Sequence, residues 1–167
     1  MQNIFLIGFM GAGKSTVSQV LCRKYGMSLV EMDEQLERQE QMSIPEIFEV
    51  RGEEYFRRLE TQLLAGLQGQ ENTVISCGGG AAMRQCNVDA MKKSGKIVYL
   101  STRPETVYER VKDCHNRPLL EGNMNVAYIT KLMEVRHPKY LAAADVVVET
   151  DGRTAEEICE EICSVMI

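Results

Sequence analysis

The feature that most constrains the fold is the octapeptide Gly8-Phe9-Met10-Gly11-Ala12-Gly13-Lys14-Ser15. It fits the pattern G-x-x-x-x-G-K-[ST] at every position. It follows a short apolar run, Ile4 to Ile7. It precedes residues 14 to about 25, where Val17, Val20 and Leu21 recur on one helical face. Strand, glycine-rich turn and helix in that order let backbone N–H groups curl around a phosphate, and the helix N-terminus adds unpaired donors and a favourable dipole. Gly11, Ala12, Gly13, Lys14, Ser15 and Thr16 are the candidate phosphate-binding residues. Lys14 is placed to reach β- and γ-phosphates, and the Ser15 hydroxyl to ligate Mg²⁺. By average composition such a match arises by chance in a chain of this length on the order of once in a hundred or less.

The remaining pattern alternates strand and helix. Short apolar runs at Leu29 and Val30, Thr73 to Ser76, Lys96 to Leu100 and Asp145 to Val148 read as four further strands. Helical stretches are expected over 33 to 41, from Pro45 through about Leu67 with Gly52 as an internal weak point, and from about Met83 to Lys93. Others are expected from Pro104 to about Asp113, from about Val126 to Glu134, and over 154 to 165. Residues 114 to 124 break the pattern and read as a loop. The expected fold is α/β, a five-stranded parallel sheet with helices on both faces. With 167 residues and neither repeat nor linker, one domain over 1–167 is expected.

Composition narrows the function. Hydrophobic residues make up 44% and charged residues 26%, which describes an ordinary globular chain rather than a disordered one. The net charge of −5 makes general nucleic-acid binding a poor fit. No apolar run approaches the roughly 18 residues of a membrane helix. The N-terminal apolar run has no basic segment before it and no signal-peptidase site after it, so a cytoplasmic protein without membrane contact is expected. The six cysteines form no C-x-x-C pair and read as free thiols. His115 and His137 stand in no partner pattern and read as non-catalytic. A GTPase would show a guanine-reading N-K-x-D, which this chain lacks. A motor ATPase would end its third strand in a carboxylate, where this chain has Ser76-Cys77-Gly78. A small-molecule kinase remains.

Four further features fit an acceptor site. They are Glu31-Met32-Asp33 after the second strand, Phe48-x-x-x-Gly52-Glu53-x-x-Phe56-Arg57-x-x-Glu60, Gly78-Gly79-Gly80 after the third strand, and Arg117-Pro118-Leu119-Leu120 followed by Arg136-x-Pro138-x-Tyr140. With the P-loop, their order and spacing resemble the shikimate kinases, over nearly the whole chain. The resemblance implies a P-loop NTPase fold of the nucleoside-monophosphate-kinase type with a mobile lid at about 112–124. It also implies transfer of the ATP γ-phosphoryl group to the 3-hydroxyl of shikimate, with Mg²⁺, by a protein that acts as a monomer.

Carried over residue by residue, the resemblance implies that Asp33 holds the ring hydroxyls and that Arg57 and Arg136 bind the substrate carboxylate. Gly79 and Gly80, with Gly78 beside them, approach the substrate. Arg117 reaches the transferring phosphate from the lid, and Arg110 and Arg153 lie near the adenine. Lys14, Asp33 and Arg117 are the residues expected to act in the transfer. Planar arginine forks suit a carboxylate, and glycines leave room for a ligand against the backbone. One departure stands out. The family commonly carries Asp-x-Asp where this chain has Glu31-Met32-Asp33, so Glu31, one methylene longer, takes the place of a carboxylate that reaches Mg²⁺ through water. Glu53 and Glu60 read equally as partners that orient arginines and as surface charge. Two rivals stay open at this stage: a gluconate-type sugar-acid kinase, and an ATP-binding regulatory module without turnover.

Overall fold

Strand β1 (Asn3–Ile7) is buried at every residue, and its side chains divide between two cores. Ile4 and Leu6 pack with Val17, Val20 and Leu21 of α1 (Lys14–Tyr25) and with Ile158 and Ile162 of α8 (Ala155–Met166). Phe5 and Ile7 point the other way. They pack with Met91 of α5 (Gln85–Ser94), Val107 of α6 (Pro104–Val111) and Ile129 and Tyr140 of α7 (Val126–Ala143). A strand covered on both faces has no reason to alternate polar and apolar residues, which is why Ile4 to Ile7 reads as a continuous apolar run.

The computed structural model describes residues 2–112 and 125–166. The other strands are β2 (Ser28–Glu31), β3 (Thr73–Ser76), β4 (Gly95–Ser101) and β5 (Val146–Glu149). All pair in parallel, in the order β2-β3-β1-β4-β5. β1 lies between β3 and β4, with Ile4 opposite Val74 on one side and Lys96 on the other. The chain leaves β1 at the point where successive crossovers diverge to the two halves of the sheet. Open α/β sheets bind ligands at such a crevice, and the P-loop sits there. The five-stranded parallel sheet flanked by helices is as expected, and no helix among the described residues is long and apolar enough to cross a membrane.

Two helices differ from the sequence expectation. The single stretch expected from Pro45 to Leu67 is two helices, α3 (Ile44–Arg51) and α4 (Glu53–Gly66). Gly52 separates them at φ 89°, ψ 163°, a conformation closed to other residues. α3 starts on Ser43, whose side chain accepts a hydrogen bond from the Glu46 N–H, with Pro45 in the first turn. The helix expected to stop at about Glu134 instead runs through Pro138 to Ala143. Pro138 has no N–H for the Glu134 carbonyl, which ordinarily ends or kinks a helix. Here the residues around it are tied into the fold: Arg136 and Tyr140 are buried, and His137 Nδ1 lies 2.8 Å from the Tyr99 hydroxyl. That packing outweighs the local preference. A 3-10 turn, Ala81–Met83, also precedes α5 where the helix was expected to begin.

A Cβ added at Gly52 would meet nothing within 4 Å, so its cost is backbone strain alone. Gly52→Ala is expected to lower the unfolding free energy by about 1–3 kcal/mol in urea titration. An unchanged midpoint would show that the break between α3 and α4 does not depend on the glycine.

Candidate functional site

The P-loop closes as the residue spacing requires. Gly13 caps α1 at φ 96°, and its carbonyl accepts the first helical hydrogen bond from Val17, at 2.9 Å. Ala12 turns its methyl into the core, so its contribution to the loop is backbone. Lys14 lies over its own loop, donating to the carbonyls of Gly8 at 2.6 Å and Phe9 at 3.1 Å. Arg110, from α6, donates to the Gly11 carbonyl at 2.8 Å and so leans on the loop from the far side of the cleft.

Below the loop, β2 delivers Glu31. Its carboxylate accepts from Ser15 Oγ at 3.2 Å and from the buried Ser18 Oγ at 3.3 Å. Ser15 and Glu31 thus offer a hydroxyl and a carboxylate side by side. These are hard oxygen donors of the sparse kind that Mg²⁺ uses when nucleotide phosphates supply further ligands. The residues present fit that ion. The cleft encloses about 450 Å³, and Gly11, Gly13, Lys14, Ser15, Thr16, Glu31, Asp33, Gly79 and Arg110 are among its lining residues.

Asp33 and Gly79 lead from this cleft into a second group of charges. α2 (Met32–Glu40) begins directly after β2, and buried Met32 anchors Asp33 at the cleft. A Cβ at Gly78 would lie 2.6 Å from Glu60 Oε2 and 2.9 Å from Asp33 Oδ1. One at Gly79 would lie 3.2 Å from Arg136 Nη1, and one at Gly80 2.4 Å from Arg57 Nη1. The triple glycine is therefore a strip of bare backbone with an acidic pair at one end and two guanidinium groups along it. Any side chain there would displace the charges.

The structure separates Glu53 from Glu60 on α4. Glu53 is half exposed, whereas the Glu60 side chain is 1% exposed and accepts from Arg57 Nη1 at 2.8 Å. Arg57 also donates to Glu53 through Nε and Nη2, both at 3.3 Å, while Arg58 turns outward over the Tyr55 ring. Arg136 enters from α7, with its guanidinium over the buried Phe9 ring, 5.7 Å to the centroid. Glu60 Oε2 and Arg136 Nη1 are the buried side-chain polar atoms that lack a hydrogen-bond partner among the described residues. Burial pushes the Glu60 carboxyl up from its ordinary range; Arg57 opposes the shift and Asp33 adds to it. Burial works against the charge of Arg57, but Glu60 and then Glu53 outweigh it and hold the guanidinium firmly protonated.

Not every expected residue converges. Arg153 donates to the Glu149 carbonyl at 2.9 Å, to Glu161 Oε2 at 2.5 Å and to the Glu157 carbonyl at 3.4 Å. These contacts join β5 to α8 and are not among the groups lining the cleft. Arg117 and the remainder of the expected lid, 113–124, lie outside the described residues. Sequence reasoning assigned no role to Phe9, Ser18 or Tyr140, though all three touch site residues. Tyr140 donates its hydroxyl to the Gly79 carbonyl. The spacing Arg136-x-x-x-Tyr140, one helical turn, was the available signal for it.

Comparison with known proteins gives one answer. The family model described as Shikimate kinase matches residues 10–167. A shikimate kinase of Dehalococcoides mccartyi is 43% identical over 160 residues, spanning 96% of this chain and 90% of the relative. One of Persephonella marina is 41% identical over 162 residues, spanning 97% of each. The structure of Acinetobacter baumannii shikimate kinase in complex with shikimate superposes with a TM-score of 0.94 at 34% identity, covering 99% of this chain and 92% of that one. A gluconokinase of Sinorhizobium meliloti superposes with a TM-score of 0.59 at 16% identity over 99% and 91%, a likeness of fold alone.

The raised Glu60 carboxyl has a consequence for stability. The native state keeps the Glu60 proton to higher pH than the unfolded chain does. Its contribution to stability is therefore greatest below the ordinary glutamate value of about 4.5 and is lost as pH rises through the raised native value. Melting temperatures of wild type and Glu60→Gln, followed from pH 4.5 upward, are expected to show the wild type losing ground to the variant as pH rises. A wild type that gains on the variant would mean that Arg57 and Arg136 overcome the burial cost.

Proposed function

The chain belongs to the shikimate kinase family, and from that premise and the geometry of the cleft we propose that it transfers the γ-phosphoryl group of ATP to the 3-hydroxyl of shikimate. One observation carries the reading. A buried Arg136 nitrogen with no hydrogen-bond partner among the described residues and the Arg57 guanidinium flank bare glycine backbone next to a phosphate-binding loop. An unsatisfied buried guanidinium N–H is costly, and a ligand carboxylate satisfies it with a charge-assisted hydrogen bond.

The residues divide the work. The P-loop backbone from Gly11 to Thr16 cradles the nucleotide phosphates. Lys14 exchanges its loop carbonyls for phosphate oxygens and supplies positive charge where negative charge shifts during transfer. Ser15 and Glu31 hold Mg²⁺, which when bound neutralises phosphate charge. Arg57 and Arg136 grip the substrate carboxylate and so fix the ring over Gly78 to Gly80. Asp33, at the border of the two regions, accepts hydrogen bonds from the ring hydroxyls. It orients the attacking 3-hydroxyl first and takes up its proton second, as the new O–P bond forms and ADP leaves. Arg110 steadies the nucleotide side of the loop. Arg117 retains the lid role that the resemblance implies. Action as a monomer in the cytoplasm is part of the same proposal.

The direct test is coupled ADP release with Mg-ATP and shikimate, gluconate or no acceptor. Turnover with shikimate alone is expected. Turnover with gluconate would keep the fold and overturn the acceptor site. ATP binding with no acceptor-dependent turnover would favour a regulatory module.

A further inference from the structure

Tyr140 is used by nothing in the scheme above, yet it is buried and its hydroxyl donates to the Gly79 carbonyl. It stands one helical turn after Arg136 on α7, so the same helix sends a guanidinium and a phenol to consecutive parts of the triple glycine. The phenol ring is itself braced. The Tyr99 ring lies 4.9 Å away between centroids, and the Tyr99 hydroxyl is 2.8 Å from His137 Nδ1. Burial pushes the Tyr140 hydroxyl up to about 12 against the pull of Arg136, so it is a proton donor throughout the working pH range.

The consequence lies in the peptide plane. The Gly79–Gly80 peptide is trans, as are all the described peptides, so the Gly80 N–H points opposite to the Gly79 carbonyl. The carbonyl faces Tyr140 in the core. The N–H therefore faces away from Tyr140, and Gly79, on the other side of the peptide, lines the cleft. Glycine on both sides of this peptide leaves it little steric reason to hold that orientation unaided.

We infer that Tyr140 is a positioning residue for the acceptor: its hydroxyl locks the Gly79–Gly80 peptide so that the Gly80 N–H is presented to the bound substrate. The inference rests on the acceptor site proposed above. Arg57 and Arg136 hold the charged end of the substrate, and the locked N–H supplies a neutral donor that fixes how the ring lies against the glycines.

The test is Tyr140→Phe, which keeps the ring and removes the hydrogen bond, assayed beside the wild type with each substrate varied in turn. The KM for shikimate is expected to rise roughly tenfold, on the scale of one neutral hydrogen bond, with the KM for ATP and kcat little changed. A general loss of packing would move both KM values. A variant equal to an active wild type in shikimate KM overturns this inference alone. A wild type that ignores shikimate overturns the acceptor site and this inference with it. A second measurement needs no variant. The protein has 13 glycines, so ¹⁵N-glycine labelling gives a sparse spectrum. The Gly80 amide resonance is expected to move downfield in its proton dimension when shikimate is added to the wild type. A Gly80 amide that does not respond overturns the proposal even if Tyr140→Phe fails to fold.

Discussion

A carboxylate buried to 1% exposure sets the terms for everything around it. Glu60 cannot stand alone in a medium that solvates charge poorly, because removing one partner of a buried ion pair costs about 3–5 kcal/mol. Arg57 answers it within α4. Among the described residues, Glu60 Oε2 and the Arg136 nitrogen are left without hydrogen bonds. The two unsatisfied groups have opposite sign and lie along one strip of glycine backbone. That arrangement is a poor way to stabilise an empty protein and a good way to hold a small molecule that carries both an anionic group and hydroxyls. The charges are in place before the ligand arrives, so binding need not assemble them.

The same constraint explains why the site is made from distant segments. β3 ends in glycines because α4 brings Glu60 and Arg57 against them from one side and α7 brings Arg136 from another. Asp33 reaches Gly78 because β2 is the neighbour of β3, and Ser15 reaches Glu31 because α1 begins beside that same strand pair. The parallel order β2-β3-β1-β4-β5 thus puts the P-loop, the Ser15–Glu31 pair and the charges around the triple glycine at one end of the sheet. In-line phosphoryl transfer asks chiefly for positioning of this kind.

The parts legible in the sequence were those with local causes. The P-loop is a local pattern with its strand and helix attached, and β1 announces its double burial by an unbroken apolar run. Of the adjacent pair on α4, the structure puts Arg57 on Glu60 and Arg58 outside. What was not legible depended on contacts between remote segments. Glu53 and Glu60 look alike in sequence, and only the packing of the triple glycine against α4 buries one of them. Pro138 reads locally as a helix stop, but contacts made by Arg136, His137 and Tyr140 carry α7 through it. Arg153 ties β5 to α8 through contacts its own sequence neighbours do not announce. Gly52 was visible as a weak point, although its effect, a full break into two helices, was not.

On the proposed reading, Arg57 and Arg136 stand ready for a carboxylate before one binds. Calorimetric titration of the protein with shikimate and with the corresponding carboxamide tests it most directly, because the two ligands share a ring and differ in the charge offered to Arg57 and Arg136. The carboxamide is expected to bind more weakly by on the order of a hundredfold, the worth of hydrogen bonds between charged partners. Equal affinities would mean that Arg57 and Arg136 do not hold the carboxylate.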